Sequence, residues 1–387
     1  MANSTVTFFP VGEKNGGMIL IKLNDPYETV ILVDSAIGEE SIAEYCDVNL
    51  ELRARLPVDS KGRPYVDAFI LTHRHDDHLK GFQKHFHLGS LSEYKDDDDE
   101  LKIIIKELWS SHSFWKPSSS NYNLCDDAKA FNKEMKRRVD LFKSKNTIQA
   151  EGERAIIIGK DPDGKTDNLE IINYDIGDTF TNINNRNISS KISGYILSPV
   201  DKQDSEDEEC FNDKNRQSIV IQLTVKQGIY ENKLLLTADA ECIVWETLWK
   251  NYKNNTNKLE YDILLAPHHC SWHSLSYDSL SHDEDPQICV NAKNALSQNK
   301  PNAYIVSQSK IIKEKDQDPP SEAAKQEYIS MVGEIQFICT NKYPTEKKPE
   351  SLEFNLTGYG PQKKGIKEKA KLSTAALSAT KEAYPHG

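Results

Sequence analysis

The feature that most constrains this chain is a polar segment that begins where an apolar run, Val66–Leu71, stops; it reads Thr72-His73-Arg74-His75-Asp76-Asp77-His78. An apolar run of this length with an abrupt end is typical of a strand buried on both faces. In extended or turn backbone, residues two apart can point the same way, so His73 and His75 can bind one ion. Asp77 and His78 follow where we expect a helix to begin, from Leu79 onwards, and can face a second ion.

Such clustering is rare by chance. The chain has 11 histidines and 60 acidic residues among 387, so a chance match to this spacing of three histidines and a carboxylate arises about once in a thousand such chains. Imidazole and carboxylate ligands suit Zn²⁺, Mn²⁺ or Fe. The segment therefore predicts metal binding, with two Zn²⁺ ions expected and Mn²⁺ or Fe as alternatives.

Two later segments also place metal-binding residue types just beyond an apolar run. Asp239 follows the run Leu234–Leu236, and the pair His268 and His269 follows Asp262–Ala266. Asp239 alone is a weak signal, since Asp commonly caps helices. In α/β folds, however, ligands that are distant in sequence meet at strand termini, so we predict that these segments join residues 73–78 in one centre.

Strand-like runs separated by turns dominate both halves of the chain, and a few helices, such as Asp126–Lys145, are interleaved. Two mixed sheets flanked by helices, an αββα sandwich of the α/β class, fit this pattern, although other α/β arrangements fit it too. We predict one domain over residues 1–360, with polar insertions near 90–150 and 200–216. The Lys-rich segment 361–387 is predicted to be a flexible tail.

Composition limits the location and partners of the protein. No apolar run approaches the roughly 20 residues that span a bilayer, and the N-terminus shows no secretory signal, so a cytoplasmic protein with no membrane contact is expected. The net charge of −12 argues against a broad basic surface for duplex DNA. A phosphate-containing substrate stays open, because bound metals add local positive charge.

The motifs together resemble a known family. The His-x-His-x-Asp-His pattern of residues 73–78 resembles the signature of the metallo-β-lactamase superfamily. The segment order over residues 5–360 resembles the hydrolase domain of ComEC-like competence proteins. It includes an opening strand, Gly turn and strand ending in Asp34, a strand followed by Pro199, an Asn/Ser strand start at Asn215–Val220, and the segments Leu235–Ala240 and Pro267–Ser271.

The resemblance has departures. Ala238 and Cys270 stand where the family usually has Gly, and Asp318-Pro319 stands where it often has a His-Pro step. Many members also supply a histidine to the first metal from a middle segment. His112 is a candidate for that position here, and Asn215 or a water molecule is an alternative.

The resemblance implies a role for each motif residue. His73 and His75 would bind the first metal, and Asp77 and His78 the second. Asp239 would bridge the two ions, and Asp77 would also orient the attacking water. His268 is the first choice for the last ligand of the second metal, with His269 close behind. Asp34 and Thr72 would support the ligand histidines from behind.

Three functions are compatible with these residues. The first is a phosphodiesterase or nuclease acting on nucleic acid or a nucleotide through a metal-activated water, with Asp77 and Asp239 as the catalytic residues. The second is a hydrolase of a small ester, thioester, lactone or amide. The third is a non-catalytic metal-binding scaffold or sensor, with a protein partner, in a multi-protein system such as a defence operon.

Overall fold

Two mixed β-sheets carry the fold. The computed structural model describes residues 3–12, 15–38, 46–96, 100–116, 124–200, 215–314 and 318–365. The first sheet has nine strands: β1 Ser4–Phe8, β2 Ile19–Lys22, β3 Val30–Val33, β5 Tyr65–Leu71, β7 Ile104–Ser111, β8 Arg154–Ile158, β9 Asn173–Tyr174, β21 Leu352–Thr357 and β22 Gly360–Lys363. The second has seven: β10 Thr179–Phe180, β13 Ile192–Ser198, β14 Val220–Gln227, β15 Tyr230–Leu236, β16 Tyr261–Leu265, β17 Asn299–Ser307 and β18 Phe337–Cys339.

Short strand pairs and helices complete the described elements. The pairs are β4 Ser35–Ala36 with β6 Leu79–Lys80, β11 Asn182–Ile183 with β12 Arg186–Asn187, and β19 Pro344–Thr345 with β20 Lys348–Pro349. The α-helices are α1 Val48–Arg53, α2 Phe82–His85, α3 Asp126–Lys145, α4 Cys242–Tyr252, α5 Val290–Leu296 and α6 Glu322–Val332. Single 3₁₀ turns lie at Asp76–His78, Leu91–Glu93, His112–Trp115, Glu170–Ile172, Thr256–Lys258, Pro267–His269, Trp272–Ser274 and Thr340–Lys342.

The alternation of side chains along β15 shows how the layers form. Leu234 and Leu236 pack into the core that includes the first sheet, whereas Leu235 packs into a second core with α4, α5 and α6. Trp109 of the first sheet lies 4.8 Å, centroid to centroid, from Phe180 of the second. On the outer face of the first sheet, Phe131 of α3 packs against Phe69 of β5. The predicted αββα sandwich is confirmed.

Strand direction determines where the polar segments meet. β5 runs parallel to β3 and β7, and β15, β16 and β17 are mutually parallel. The carboxyl ends of parallel strands share one edge of a sheet. The two edges adjoin: the amide of Ile219, the residue before β14, donates to the carbonyl of Thr72, 3.0 Å away. All three predicted ligand segments leave their strands at this joint edge.

One expectation needs correction. The expected helix from Leu79 is wrong, because Leu79–Lys80 pairs with β4 and Gly81 adopts a left-handed φ of 81° before the single turn of α2. Within residues 90–150, β7 is a central strand of the first sheet, between β5 and β8. The first sheet extends through β22 to Lys363.

Two other expectations concern residues that the structure does not describe. Residues 201–214, most of the second predicted insertion, and 366–387, most of the predicted tail, lie outside the described residues. Among the described residues, no helix combines the length and apolar character that crossing a bilayer requires.

Candidate metal centre

The first group of metal-binding atoms lies where β5 ends. The Nε2 atom of His73 is 3.0 Å from Nδ1 of His75 and 3.2 Å from Oδ2 of Asp239, which follows β15. His73 and Asp239 are buried, whereas His75 is partly exposed. These three side chains can hold one metal ion.

The second group contains four side chains: Asp77, His78, Asp239 and His269. Nε2 of His78 lies 3.2 Å from Oδ1 of Asp239 and 3.2 Å from Nε2 of His269. Nε2 of His269 also lies 3.1 Å from Oδ2 of Asp77 and 3.4 Å from Oδ1 of Asp239. Asp239 therefore offers Oδ2 to the first group and Oδ1 to the second.

The spacing of these atoms suits a metal ion. A tetrahedral cation with bonds of about 2.0–2.1 Å keeps its ligand atoms about 3.3 Å apart, and the contacts within the two groups run from 3.0 to 3.4 Å. Oδ1 of Asp239 is buried without a hydrogen-bond partner among the described residues. A buried carboxylate oxygen in that state needs a compensating cation.

Hydrogen bonds on the far side of each ring aim the nitrogen lone pairs into the centre. Asp34 accepts a hydrogen bond from Nδ1 of His78 at 2.7 Å, and the carbonyl of Gln308 accepts one from Nδ1 of His269 at 2.9 Å. Both Nε2 atoms are then left as acceptors facing each other. Two acceptors 3.2 Å apart repel unless a proton or a metal ion lies between them.

Asp34 and Thr72 lie where the sequence analysis expects supporting residues. The Thr72 hydroxyl donates to Oδ2 of Asp34 at 2.6 Å, and the Thr72 amide donates to Oδ1 at 2.7 Å. The same hydroxyl oxygen lies 3.2 Å from Nδ1 of His73, so it can accept the proton on that nitrogen. One carboxylate thus orients His78 directly and His73 through Thr72.

The electrostatics also favour a bound cation. Burial opposes ionisation of Asp239, yet His269, followed by His78 and His73, holds the pKa of Asp239 well below its usual range. Burial also opposes protonation of His269, yet Asp239 and Asp77 raise its pKa to about 10. Carboxylates that stay ionised beside imidazoles with high affinity for a proton form a site that attracts positive charge.

A glycine pair lets the N-terminal loop approach the ligands. A Cβ atom on Gly17 would lie 2.8 Å from the ring of His78, and one on Gly16 would lie 2.9 Å from the carbonyl oxygen of Asp77. The amide of Gly17 donates to that same carbonyl at 3.1 Å. Residues without a side chain are therefore required at both positions.

The structure separates the two adjacent histidines. His269 belongs to the four-residue group, but Nε2 of His268 lies 3.9 Å from Oδ2 of Asp239, and its Nδ1 lies 3.4 Å from Oε1 of Glu241. His268 belongs to neither group. The geometry thus reverses the order of preference from the sequence and favours His269 as the last ligand of the second group.

Among the described residues, neither His112 nor Asn215 joins either of the two ligand groups. His112 is buried beside Gly159. Burial lowers the pKa of His112 to about 4. Asn215 donates through Nδ2 to Glu241 at 2.9 Å. The first group therefore has three protein ligands, which leaves room for water or substrate.

A pocket of about 400 Å³ opens beside Asp77, and Asn15, Asp76, Lys80 and Lys310 also line it. The sequence alone does not predict either lysine or Gln308 as part of the centre. They reach the centre from β6 and from the segment after β17, and no local motif marks them. The close approach of the N-terminal loop to the ligands did have a signal in the sequence. It is the repeated Gly at 16 and 17, because paired glycines often mark close backbone approach.

Comparisons with known proteins add little. No protein-family model matches the chain, and no curated protein matches it. Among solved structures, the chain is similar to the metallo-beta-lactamase GOB-18 from Elizabethkingia meningoseptica. The identity is 10%, the match covers 68% of this chain and 76% of that chain, and the TM-score is 0.24. Values this low do not establish a common fold, so membership of the superfamily stays a prediction from the motifs.

Proposed function

We propose that the protein is a metal-dependent hydrolase that acts on phosphodiesters of nucleic acids or nucleotides. The position of Asp239 carries this proposal. Its two oxygens face separate groups of imidazoles, which is the arrangement expected of a carboxylate shared by two cations. Paired metal sites of this kind are common in phosphatases and nucleases. The resemblance of the motifs to the metallo-β-lactamase superfamily supports the same reaction class.

The pocket beside Asp77 supports a phosphate-containing substrate. Lys80 and Lys310 line it together with Asn15. Ammonium groups and a side-chain amide can contact the non-bridging oxygens of a phosphate group. Asp76 and Asp77 line the same opening, so the contact to phosphate rests on the two ammonium groups and on metal ions at the centre, and not on a net positive charge of the pocket.

Each ligand has a definable task. Divalent cations held here would supply Lewis-acid chemistry, because they acidify water and polarise the group under attack. Asp77 is the most exposed member of the four-residue group, with 34% of its side chain accessible against 3–4% for Asp239 and His269. Its carboxylate can therefore accept a hydrogen bond from the attacking water. Asp34, Thr72 and Gln308 keep the histidine rings in one tautomer.

Hydrolysis of bis(p-nitrophenyl) phosphate by protein loaded with Mn²⁺ or Zn²⁺ tests the proposal. We expect turnover that EDTA abolishes and that a His73→Ala/Asp77→Ala variant loses. A His282→Ala/Asp283→Ala variant is the matched control, because both side chains are exposed and outside the two groups. Turnover that persists in the His73→Ala/Asp77→Ala variant would show that this centre is not responsible.

Two further results would favour the alternatives. Metal-dependent turnover of carboxylic esters or thioesters, without turnover of the phosphodiester, would assign the centre to that substrate class. Fewer than about one metal equivalent after purification without chelator, with melting unchanged by EDTA, would leave a scaffold without metal-dependent catalysis.

A further inference from the structure

A basic groove runs along α3. It has a volume of about 650 Å³ and is lined by Lys116, Leu124, Lys129, Asn132, Lys133, Lys136, Arg137 and Asp140. Five of these residues are basic and one is acidic. Such a concentration of positive charge contrasts with the chain as a whole, whose net charge is −12.

The periodicity of α3 produces this surface. Phe131, Met135, Val139 and Phe142 are buried, so one face of the helix packs into the core. Lys129, Lys133 and Lys136 are exposed and follow one another at spacings of four and three residues, which places them on one face. At 1.5 Å per residue, they span about 10 Å.

The lysines differ in how their charges are balanced. Lys129 forms an ion pair with Asp126, and Arg137 with Glu134 and Glu153. Lys133 and Lys136 have no carboxylate within ion-pair distance in the part of the chain that the structure describes. These two ammonium groups are therefore available to an anion from solution.

Asn132 also lines the groove and is only 7% exposed. Its side-chain oxygen is buried and is a hydrogen-bond acceptor, so it offers no contact to a phosphate group. The inference therefore rests on the lysines.

Hydrogen bonds connect the elements around the groove to the segment that carries the candidate metal ligands. Arg74, between the ligands His73 and His75, is buried and donates to the carbonyl of Lys116 at 3.0 Å. At the start of α3, the Asp127 carboxylate accepts hydrogen bonds from the amides of Gly81 and Gln83, just beyond His78. The helix that carries the lysines is therefore fixed to the segment that carries the ligands.

We infer that the α3 groove binds the sugar–phosphate backbone of a nucleic acid strand that extends from the metal centre. The inference rests on the proposed phosphodiesterase function and narrows its substrate to a polymer. A length of about 10 Å covers about four phosphates along one strand at 3.4 Å spacing, so the three lysines can contact a short stretch of the backbone. Phosphate contacts of this kind give affinity without sequence preference.

The test measures binding of a fluorescently labelled 20-nucleotide single-stranded DNA by anisotropy, with the full chain in EDTA so that no strand is cleaved. We expect Lys133→Glu/Lys136→Glu to weaken binding about tenfold or more. The slope of the logarithm of the binding constant against the logarithm of the salt concentration should become less steep by about 1.4. Lys133→Gln/Lys136→Gln, which keeps good helix formers, should give an intermediate loss. The control Lys347→Glu/Lys348→Glu makes the same charge change at exposed positions outside the groove.

Binding by the Lys133→Glu/Lys136→Glu variant that equals that of wild type or of the control would overturn the inference. Hydrolysis of bis(p-nitrophenyl) phosphate separates this failure from failure of the proposed function. A small diester does not reach the groove, so its turnover should be unchanged in all three variants. If the diester is not hydrolysed but DNA binding depends on the lysines, the proposed function fails and the groove stands.

Discussion

The two halves of the candidate centre differ in how firmly the protein holds them. In the four-residue group, His78 and His269 are buried and each is fixed from behind by a carboxylate or a carbonyl. In the three-residue group, His75 is partly exposed and no middle segment supplies a further described ligand. A fixed, complete ligand set binds a cation more tightly than an open one. We therefore expect a metal ion in the four-residue group to be retained and one in the three-residue group to exchange.

The difference also gives the two groups different roles in the proposed reaction. A closed site supports the structure, whereas catalysis requires an open coordination position. The three-residue group has that position among the described residues. The pocket opens beside Asp77, the most exposed member of the four-residue group. Substrate is therefore expected to approach beside Asp77 and to reach the open position of the three-residue group.

Asp239→Ala should have the largest effect, because it removes the one side chain common to both groups. We expect loss of both metal equivalents and a fall in phosphodiester turnover on the order of a thousandfold or more. Elemental analysis and steady-state kinetics measure the two changes. Asp283→Ala, at an exposed position, is the control. A variant in which the affinity for only one equivalent falls would show that Asp239 is not shared.

Separate replacement of His269 and His75 compares the two groups directly. His269→Ala removes one of four ligands. We expect this to cost about 3 kcal/mol, or about a hundredfold in affinity for the first metal equivalent. His75→Ala should leave that equivalent in place and weaken only the second. Titration with a metal-sensitive dye reads both affinities. Equal effects of the two replacements on the first equivalent would contradict the proposed difference between the groups.

Asp34→Asn should weaken both metal equivalents, by about ten- to a hundredfold. The amide keeps the shape of the side chain but removes the charge that orients His78 directly and His73 through Thr72. The same dye titration measures the loss, and Asp59→Asn, in a turn away from the centre, serves as control. If only one equivalent responds, the link through Thr72 does not operate.

Ala238→Gly should have the smallest effect. It should raise the free energy of unfolding, whereas the other replacements lower metal affinity or turnover. Ala238 has a φ of 48°, a left-handed conformation that costs a residue with a Cβ atom about 1–2 kcal/mol. Glycine removes this cost but adds chain entropy worth about 0.5–1 kcal/mol to the unfolded state. A net stabilisation of about 0.5 kcal/mol is expected in urea unfolding of the metal-free protein. Destabilisation would show that the Ala238 methyl group contributes more by packing than its backbone costs.

The sequence supports prediction best where partners are local or where a strand end marks the position. The ligands at 73–78 share one short segment, and Asp239 and the 268–269 pair directly follow apolar strands, so all could be named in advance. The choice between His268 and His269 could not be made. Both residues and Cys270 have positive φ values, and side-chain direction in such a turn depends on backbone angles that residue type does not determine.

Other features depend on contacts between distant segments. Gln308 and Lys310 have no motif, and they reach the centre because β17 lies parallel to β16. The helix expected from Leu79 was excluded by the left-handed Gly81, where a side chain would contact the carbonyl of Ile37. The central position of β7 depends on strand order, which hydrophobic pattern alone does not specify.

The contacts of Gln308 have a consequence for how the protein matures. Its side chain bonds Met18, 290 positions earlier, and its carbonyl holds His269, whose ring meets that of His78 across 191 positions. Contacts across such separations form late in folding, because closing long loops is entropically costly. A nascent chain that has emerged from the ribosome only as far as Asp239 therefore has an incomplete set of ligands. Stable metal acquisition follows synthesis of β17 and the segment beyond it.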